Sequence, residues 1–267
     1  MFSVSSAAMF DKGKGPPVVM IQGLHGRWEW SRTALEELAT SCRAISYSLA
    51  GDLGSGRRYD PALGFENQMR QLDDVLDRAG LERAALCGVS FGGLVAVRYA
   101  ATRPHRVSAL VLASAPGPGW APTAQQARWL SRPWLSTPAF VASAPLRVWP
   151  EVRRALRRTP ACVAFMVRQG VRAAVFPCIP SLMSARIRDA RATDFDRDYQ
   201  CIQAPTLVLT GEPELDRVVS VEVTRRYAAV IEGARHQTID DTGHLGVLTQ
   251  PKRFARVISE FVHANHH

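Results

Sequence analysis

No run of about eighteen uncharged apolar residues occurs in this 267-residue chain, so no membrane-spanning helix is expected. The N-terminal stretch MFSVSSAAMFDKGKG lacks a basic region followed by a long apolar one, and no secretory signal is expected either. Cysteine is scarce. Cys42, Cys87, Cys162, Cys178 and Cys201 are odd in number and show no CxxC spacing. That pattern argues against a disulfide framework and a zinc site, and for a reducing, cytoplasmic compartment. Internal repeats and low-complexity tracts are missing too.

What is present is the composition of an ordinary globular protein, 46% hydrophobic and 21% charged. The length suits one large domain, or a core domain carrying an insertion. A net charge of +9 raises the question of a nucleic-acid partner. The distribution of that charge speaks against one. Between Gly117 and Gln200 stand thirteen arginines, no lysine and five acidic residues, so nearly all the excess sits in one segment. No helix-turn-helix, RNP or zinc pattern accompanies it. No nucleic-acid partner is expected. The segment reads as a solvated basic helical surface, with selection of anionic substrates or of an acidic partner as the alternative.

Short apolar runs recur along the chain: PVVMIQ (Pro17–Gln22), AISYSL (Ala44–Leu49), AALCGV (Ala84–Val89), VSALVLAS (Val107–Ser114) and PTLVLTG (Pro205–Gly211). They lack polar–apolar alternation, as expected of parallel strands covered on both faces. Between them, SRTALEELAT, GFENQMRQLDDVLDRAG and LVAVRYAATRP repeat apolar residues at helical spacing, and a last helix is expected over Pro251–Ala264. The pattern predicts an α/β fold, a mostly parallel central sheet with helices on both faces. It stops between residues 116 and 199, where arginines, prolines and helix-like pieces such as EVRRALRR predominate. That stretch is too long for a structureless loop. The expected organisation is a core of residues 1–115 and 200–267 with a helical insertion, a cap, over 116–199.

Within ALCGVSFGGLVAVRYA, Ser90 stands between a strand and a helix, flanked by Gly88 and Gly92. A G-x-S-x-G sequence has mechanical meaning in that context, since side chains two residues either side would crowd a sharp turn. A serine hydroxyl becomes nucleophilic only with a base to take its proton and donors to hold the oxyanion. The amide of Phe91, at the helix start, is one candidate donor; the alternative reading of Ser90 is a capping serine in a glycine-rich turn. Of seven histidines, His263, His266 and His267 lie in or beyond the last helix, His105 follows a helix end and His236 opens a strand. Only His25 and His244 fall at the carboxyl ends of sheet elements, where open α/β sheets place their sites. His244, in DTGHLG, is the candidate base. EPELDRVVS after the Pro205–Gly211 run offers Glu212, Glu214 and Asp216 as its acidic partner; the apolar pair after Asp216 favours that residue, with Glu214 as the alternative. The His-Gly turn at His25 makes the Arg27 amide the second oxyanion donor, or else His25 only braces the loop. The six tryptophans cluster at Trp28 and Trp30, and at Trp120, Trp129, Trp134 and Trp149. They suggest a bulky apolar pocket bordered by His25, Trp28, Trp120 and Trp129, or simply aromatic packing between insertion and core.

Together these segments resemble the α/β-hydrolase fold family: HGRWEW its oxyanion turn, GVSFGG its nucleophile elbow, TGEPELDRVV its acid loop, and DTGHLG its histidine loop, in the order Ser, Asp, His. The likeness runs from about Pro17 to Val262. It implies Ser90 as nucleophile, His244 as general acid/base, Asp216 as its orienter, backbone amides of Arg27 and Phe91 as the oxyanion hole, and no cofactor or metal. Two departures stand out. The acid loop is two residues longer than the usual G-x-x-D, which leaves Glu214 open, and arginine occupies the HG-x position. Serine at the elbow disfavours branches that need a carboxylate nucleophile. The implied activity is hydrolysis of a small carboxylic ester or related acyl compound through an acyl-enzyme. Acyl transfer, hydrolysis of a carbon–carbon bond beside a ketone, and a slow-turnover ligand receptor are the alternatives. The implied partner is a small acyl molecule, apolar or anionic.

Overall fold

The computed structural model describes residues 9–266; the first eight residues, part of the stretch read for a targeting signal, and His267 lie outside the described residues. The described residues form a seven-stranded sheet: β1 (Met9–Lys12), β2 (Pro17–Ile21), β3 (Arg43–Tyr47), β4 (Ala84–Val89), β5 (Val107–Ala113), β6 (Thr206–Thr210) and β7 (Arg235–Thr238). Their order is β1-β3-β2-β4-β5-β6-β7. Only β1 runs antiparallel to its neighbour, β3; every other pairing is parallel.

The apolar runs explain the layering. Successive side chains of a strand point to opposite faces, so a strand buried on both sides must be apolar throughout. In β4, Ala84 and Leu86 enter one hydrophobic core while Ala85, Cys87 and Val89 enter the other. The first core packs under α2 (Glu66–Arg78) and α3 (Phe91–Thr102). The second packs under α1 (Arg32–Leu38) and α12 (Pro251–Ala264), the last being the C-terminal helix at its expected bounds. Truncating a central residue such as Leu86 or Leu110 to alanine would cost about 2–5 kcal/mol, because a close-packed interior cannot collapse around the hole.

Five helices fill the chain between β5 and β6: α4 (Ala124–Ser131), α5 (Pro133–Leu156), α6 (Thr159–Val175), α7 (Pro180–Arg191) and α8 (Asp196–Cys201). A capping box starts α4: Thr123 accepts from the Gln126 amide and Gln126 accepts from the Thr123 amide. Val152, Cys162 and Phe165 make a small core of their own. Ile187 and Ala190 of α7 and Tyr199 of α8 belong to the first main core, so the chain rejoins the sheet layer earlier than residue 200. Short helices α9 (Val221–Arg225), α10 (Tyr227–Val230) and α11 (Gly246–Thr249) complete the fold. Among the described residues no single helix is long and apolar enough to cross a membrane. The five cysteines are unpaired.

The parallel arrangement gathers the carboxyl ends of β2, β4, β6 and β7 along one edge. Gln22, Ser90, the loop containing Asp216 and the loop containing His244 leave the sheet there.

Candidate active site

Ser90 joins β4 to α3 with φ 52° and ψ −122°, a region that a residue with a Cβ rarely adopts. Such a conformation costs on the order of 1–3 kcal/mol and persists only where the surroundings impose it. Here the Ser90 amide donates to Ala113 O at 2.8 Å, and Ser90 O accepts from the Gly93 amide at 2.8 Å. The flanking glycines let the backbones close. A Cβ on Gly88 would lie 2.4 Å from Gly92 O, and one on Gly92 would lie 2.3 Å from Ile21 O. Phe91 begins α3, so its amide is among those with no intrahelical acceptor.

His244 links two loops to this turn. Its Nε2 lies 3.0 Å from Ser90 Oγ, and its Nδ1 lies 3.2 Å from Asp216 Oδ2. The other carboxylate oxygen of Asp216 accepts from the amides of Val218 and Val219, both at 3.0 Å. Burial alone would raise the Asp216 pKa, but His244 and these two amides outweigh it and hold the carboxyl below its ordinary range. Burial would likewise lower the pKa of His244; the charge and hydrogen bond of Asp216, with Glu151 behind them, outweigh it and hold the imidazolium above its ordinary value. Glu214 is exposed and Asp216 is buried, so the structure brings Asp216 to the imidazole. Glu212 serves the neighbouring turn, accepting from the Asp241 amide at 2.7 Å.

The turn after β2 differs from the expectation. The residue beside Ser90 is Gly23, three positions before Gly26: a Cβ on Gly23 would lie 3.4 Å from Ser90 Cβ and 3.7 Å from His25 Cδ2. Gln22 is fixed by a hydrogen bond to Ser46 Oγ at 2.8 Å and one from Ser31 Oγ at 2.9 Å. Among the described residues the amide of Leu24 makes no hydrogen bond, whereas its carbonyl accepts from Arg186 Nη1 at 3.1 Å. The Arg27 amide, expected to face the oxyanion, instead donates to His25 Nδ1 at 3.2 Å. The Arg27 guanidinium is buried against Glu29 at 2.7 Å. The sequence misleads because the His-Gly pair imitates an oxyanion turn, while the glycine that approaches Ser90 follows the strand directly.

His25 stacks on Trp30, with ring centroids 4.7 Å apart. Burial, aided by Arg186 and His244, pushes its pKa down to about 3, so the ring is neutral at physiological pH. Because Nδ1 accepts from Arg27, the proton sits on Nε2. Trp28 is not a pocket residue: it is 3% exposed and belongs to the second core, with Phe10 5.5 Å away. Trp120 packs against the first core, and Trp129, in α4, lies 5.1 Å from the Arg147 guanidinium. Two buried residues of the helical segment reach the site loops and were missed in the sequence. Arg186 pairs with Asp52 and donates to Ala50 O as well as Leu24 O. Glu151 accepts from the Leu245 amide, next to His244, at 2.9 Å. Among the described residues no group of three or more His, Cys, Asp or Glu is arranged to hold a metal ion.

The model of the alpha/beta hydrolase family matches residues 18–257. The chain belongs to the alpha/beta hydrolase family. It is 30% identical over 262 residues to the 2-hydroxy-6-oxo-2,4-heptadienoate hydrolase of Pseudomonas putida, covering 96% of this chain and 92% of that one. To the 2-hydroxymuconate semialdehyde hydrolase of Pseudomonas sp. CF600 it is 27% identical over 263 residues, covering 95% and 89%. Among solved structures, a thermophilic esterase from Thermogutta terrifontis superposes with a TM-score of 0.78 at 25% identity, covering 97% and 94%. This α/β hydrolase is therefore an enzyme, and its relatives act on small molecules.

Proposed function

We propose that this α/β hydrolase is a serine hydrolase of small acyl compounds, with Ser90 as nucleophile, His244 as general acid/base and Asp216 as the orienting acid. The reading rests on one observation: a single imidazole lies 3.0 Å from the hydroxyl of a serine on a strained elbow and 3.2 Å from a buried carboxylate. His244 takes the Ser90 proton as Oγ attacks the carbonyl carbon. The donors assigned to the oxyanion are the amides of Phe91, at the start of α3, and of Leu24, which follows the glycine against Ser90; Leu24 takes the place of Arg27, whose amide is occupied by His25. With an ester, His244 then protonates the departing alcohol, and a water deprotonated by the same imidazole releases the acid from Ser90. The helices between β5 and β6 serve as a cap over these loops.

A second reading is favoured by the relatives. A 2-hydroxy-6-oxo-dienoate contains no ester or amide bond, so water can split it only at a carbon–carbon bond beside the ketone. The same serine, imidazole and oxyanion donors suit that reaction, with a carbanion equivalent in place of the alkoxide. A fluorophosphonate probe tests what the two readings share: it should label the wild type and not the folded Ser90→Ala variant. No labelling of folded wild-type protein would overturn the assignment of Ser90. Turnover of aryl esters against that of 6-oxo-dienoates then separates the two.

A further inference from the structure

Glu151 is the sole acidic residue between Gly117 and Arg188, in a stretch of the chain crowded with arginine. It follows Pro150 in α5, and its neighbours Arg154 and Arg157 pair with Asp241 instead. Glu151 is 3% exposed, and its carboxylate turns toward the loop that carries His244. Both of its oxygens accept from the Leu245 amide, at 2.9 and 3.0 Å, and Oε1 lies 3.3 Å from Thr249 Oγ1. A carboxylate buried without a cation is costly, so its surroundings must offset the charge. The Gly243 and Leu245 amides, the Thr249 hydroxyl and the imidazole of His244 do so here.

We propose that Glu151 is a positioning residue for His244: it fixes the histidine loop through Leu245 and places a second negative charge behind the imidazole. The inference rests on His244 acting as the general base. The helical segment then takes part in acid–base chemistry as well as in enclosing substrate. The charged and titratable groups facing His244 are then Asp216 from the acid loop, Glu151 from α5 and the neutral His25 from the turn after β2, with the Arg186 guanidinium beyond His25. Glu151 itself faces His244 and Asp216. Burial, with the Asp216 charge, holds its pKa above the ordinary carboxylate value, against the Gly243 and Leu245 amides and His244, which favour the ionised form.

The test is the pH dependence of Ser90 labelling by a fluorophosphonate, which needs no knowledge of the substrate. Labelling requires neutral His244, so its rate rises with pH through the imidazolium pKa. Removing a nearby negative charge lowers that pKa. In Glu151→Gln the acid limb should therefore move to lower pH by about 0.5 unit or more. The plateau rate should fall as well, because the base is weaker. Glu151→Asp, which keeps the charge but shortens the reach to Leu245, should hold the limb nearer the wild-type position. Should Glu151→Gln fold poorly, Glu151→Met replaces the charge with an apolar chain of similar volume, and its limb should move the same way. If the wild type labels at Ser90 but both charge-removing variants keep its acid limb, Glu151 is only a structural tie and the inference falls while the triad stands. If the wild type does not label, the reading of Ser90 and His244 falls first.

Discussion

The loops at the sheet edge and the helices between β5 and β6 hold the site in different ways. At the edge, main chain positions main chain: Ser90 is fixed by its amide to Ala113 and its carbonyl to Gly93, and Asp216 by two amides of its own loop. The helical segment instead reaches in with long side chains. Arg186 grips the carbonyls of Leu24 and Ala50, Arg172 grips Trp30 O, and Glu151 grips the Leu245 amide. Its own core is small, and Leu135 and Leu146 are each 77% exposed. The groups proposed to react thus sit on elements anchored by the sheet, while Arg186 and Glu151 touch their loops from a layer that is lightly packed in itself.

The largest effect should come from disturbing the sheet edge. Asp216→Asn leaves the shape of the loop intact but removes the charge that holds the His244 imidazolium above its ordinary pKa. In the wild type, kcat/KM on any accepted ester should rise with pH through an apparent pKa above that of a free imidazole. The variant should lose about 10³–10⁴ in kcat, and its residual activity should persist to lower pH. A loss below tenfold would make Asp216 a bystander.

Next in size is the turn after β2. Leu24→Pro deletes one N–H and keeps the position apolar; kcat should fall about 10²–10³-fold with KM little changed. Far-ultraviolet circular dichroism and a melting curve check that the variant is folded. Unchanged kcat would remove Leu24 from the oxyanion hole.

These two variants also mark what could be read from sequence. The central strands, the strand-to-helix turn that carries Ser90 and the last helix were legible because each rests on a local signal: an apolar run, glycines at fixed offsets, or helical periodicity. β1 was not legible, since it is four residues long, pairs antiparallel at an edge and exposes Asp11 and Lys12. β7 reads Arg-His-Gln-Thr and looks polar because it too is an edge. His25-Gly26 looks like the motif in sequence, but Gly23, three residues earlier than Gly26, is the glycine against Ser90. Trp28 was misassigned because an aromatic beside a motif gives no hint of which face of the sheet it enters. Arg186 and Glu151 had no local signal beyond their charge. Their partners lie 162 and 94 residues away in the chain, a relation that only the folded structure supplies.

The smallest effects come from arginines of one segment placed differently. Arg186 and Asp52 are fully buried, so Arg186→Met strands a carboxylate in the interior and should cost about 3 kcal/mol or more of stability. The accompanying loss of the Leu24 carbonyl contact should lower kcat as well. Arg157 pairs with Asp241 while remaining 75% exposed, and water screens that pair. Arg157→Ala should therefore shift the melting temperature by no more than about 2 °C, with the difference vanishing as salt rises. Parallel thermal melts of the two variants at low and high ionic strength decide the matter. Equal losses from both would mean that burial does not separate the arginines that brace the site from those that only decorate the surface.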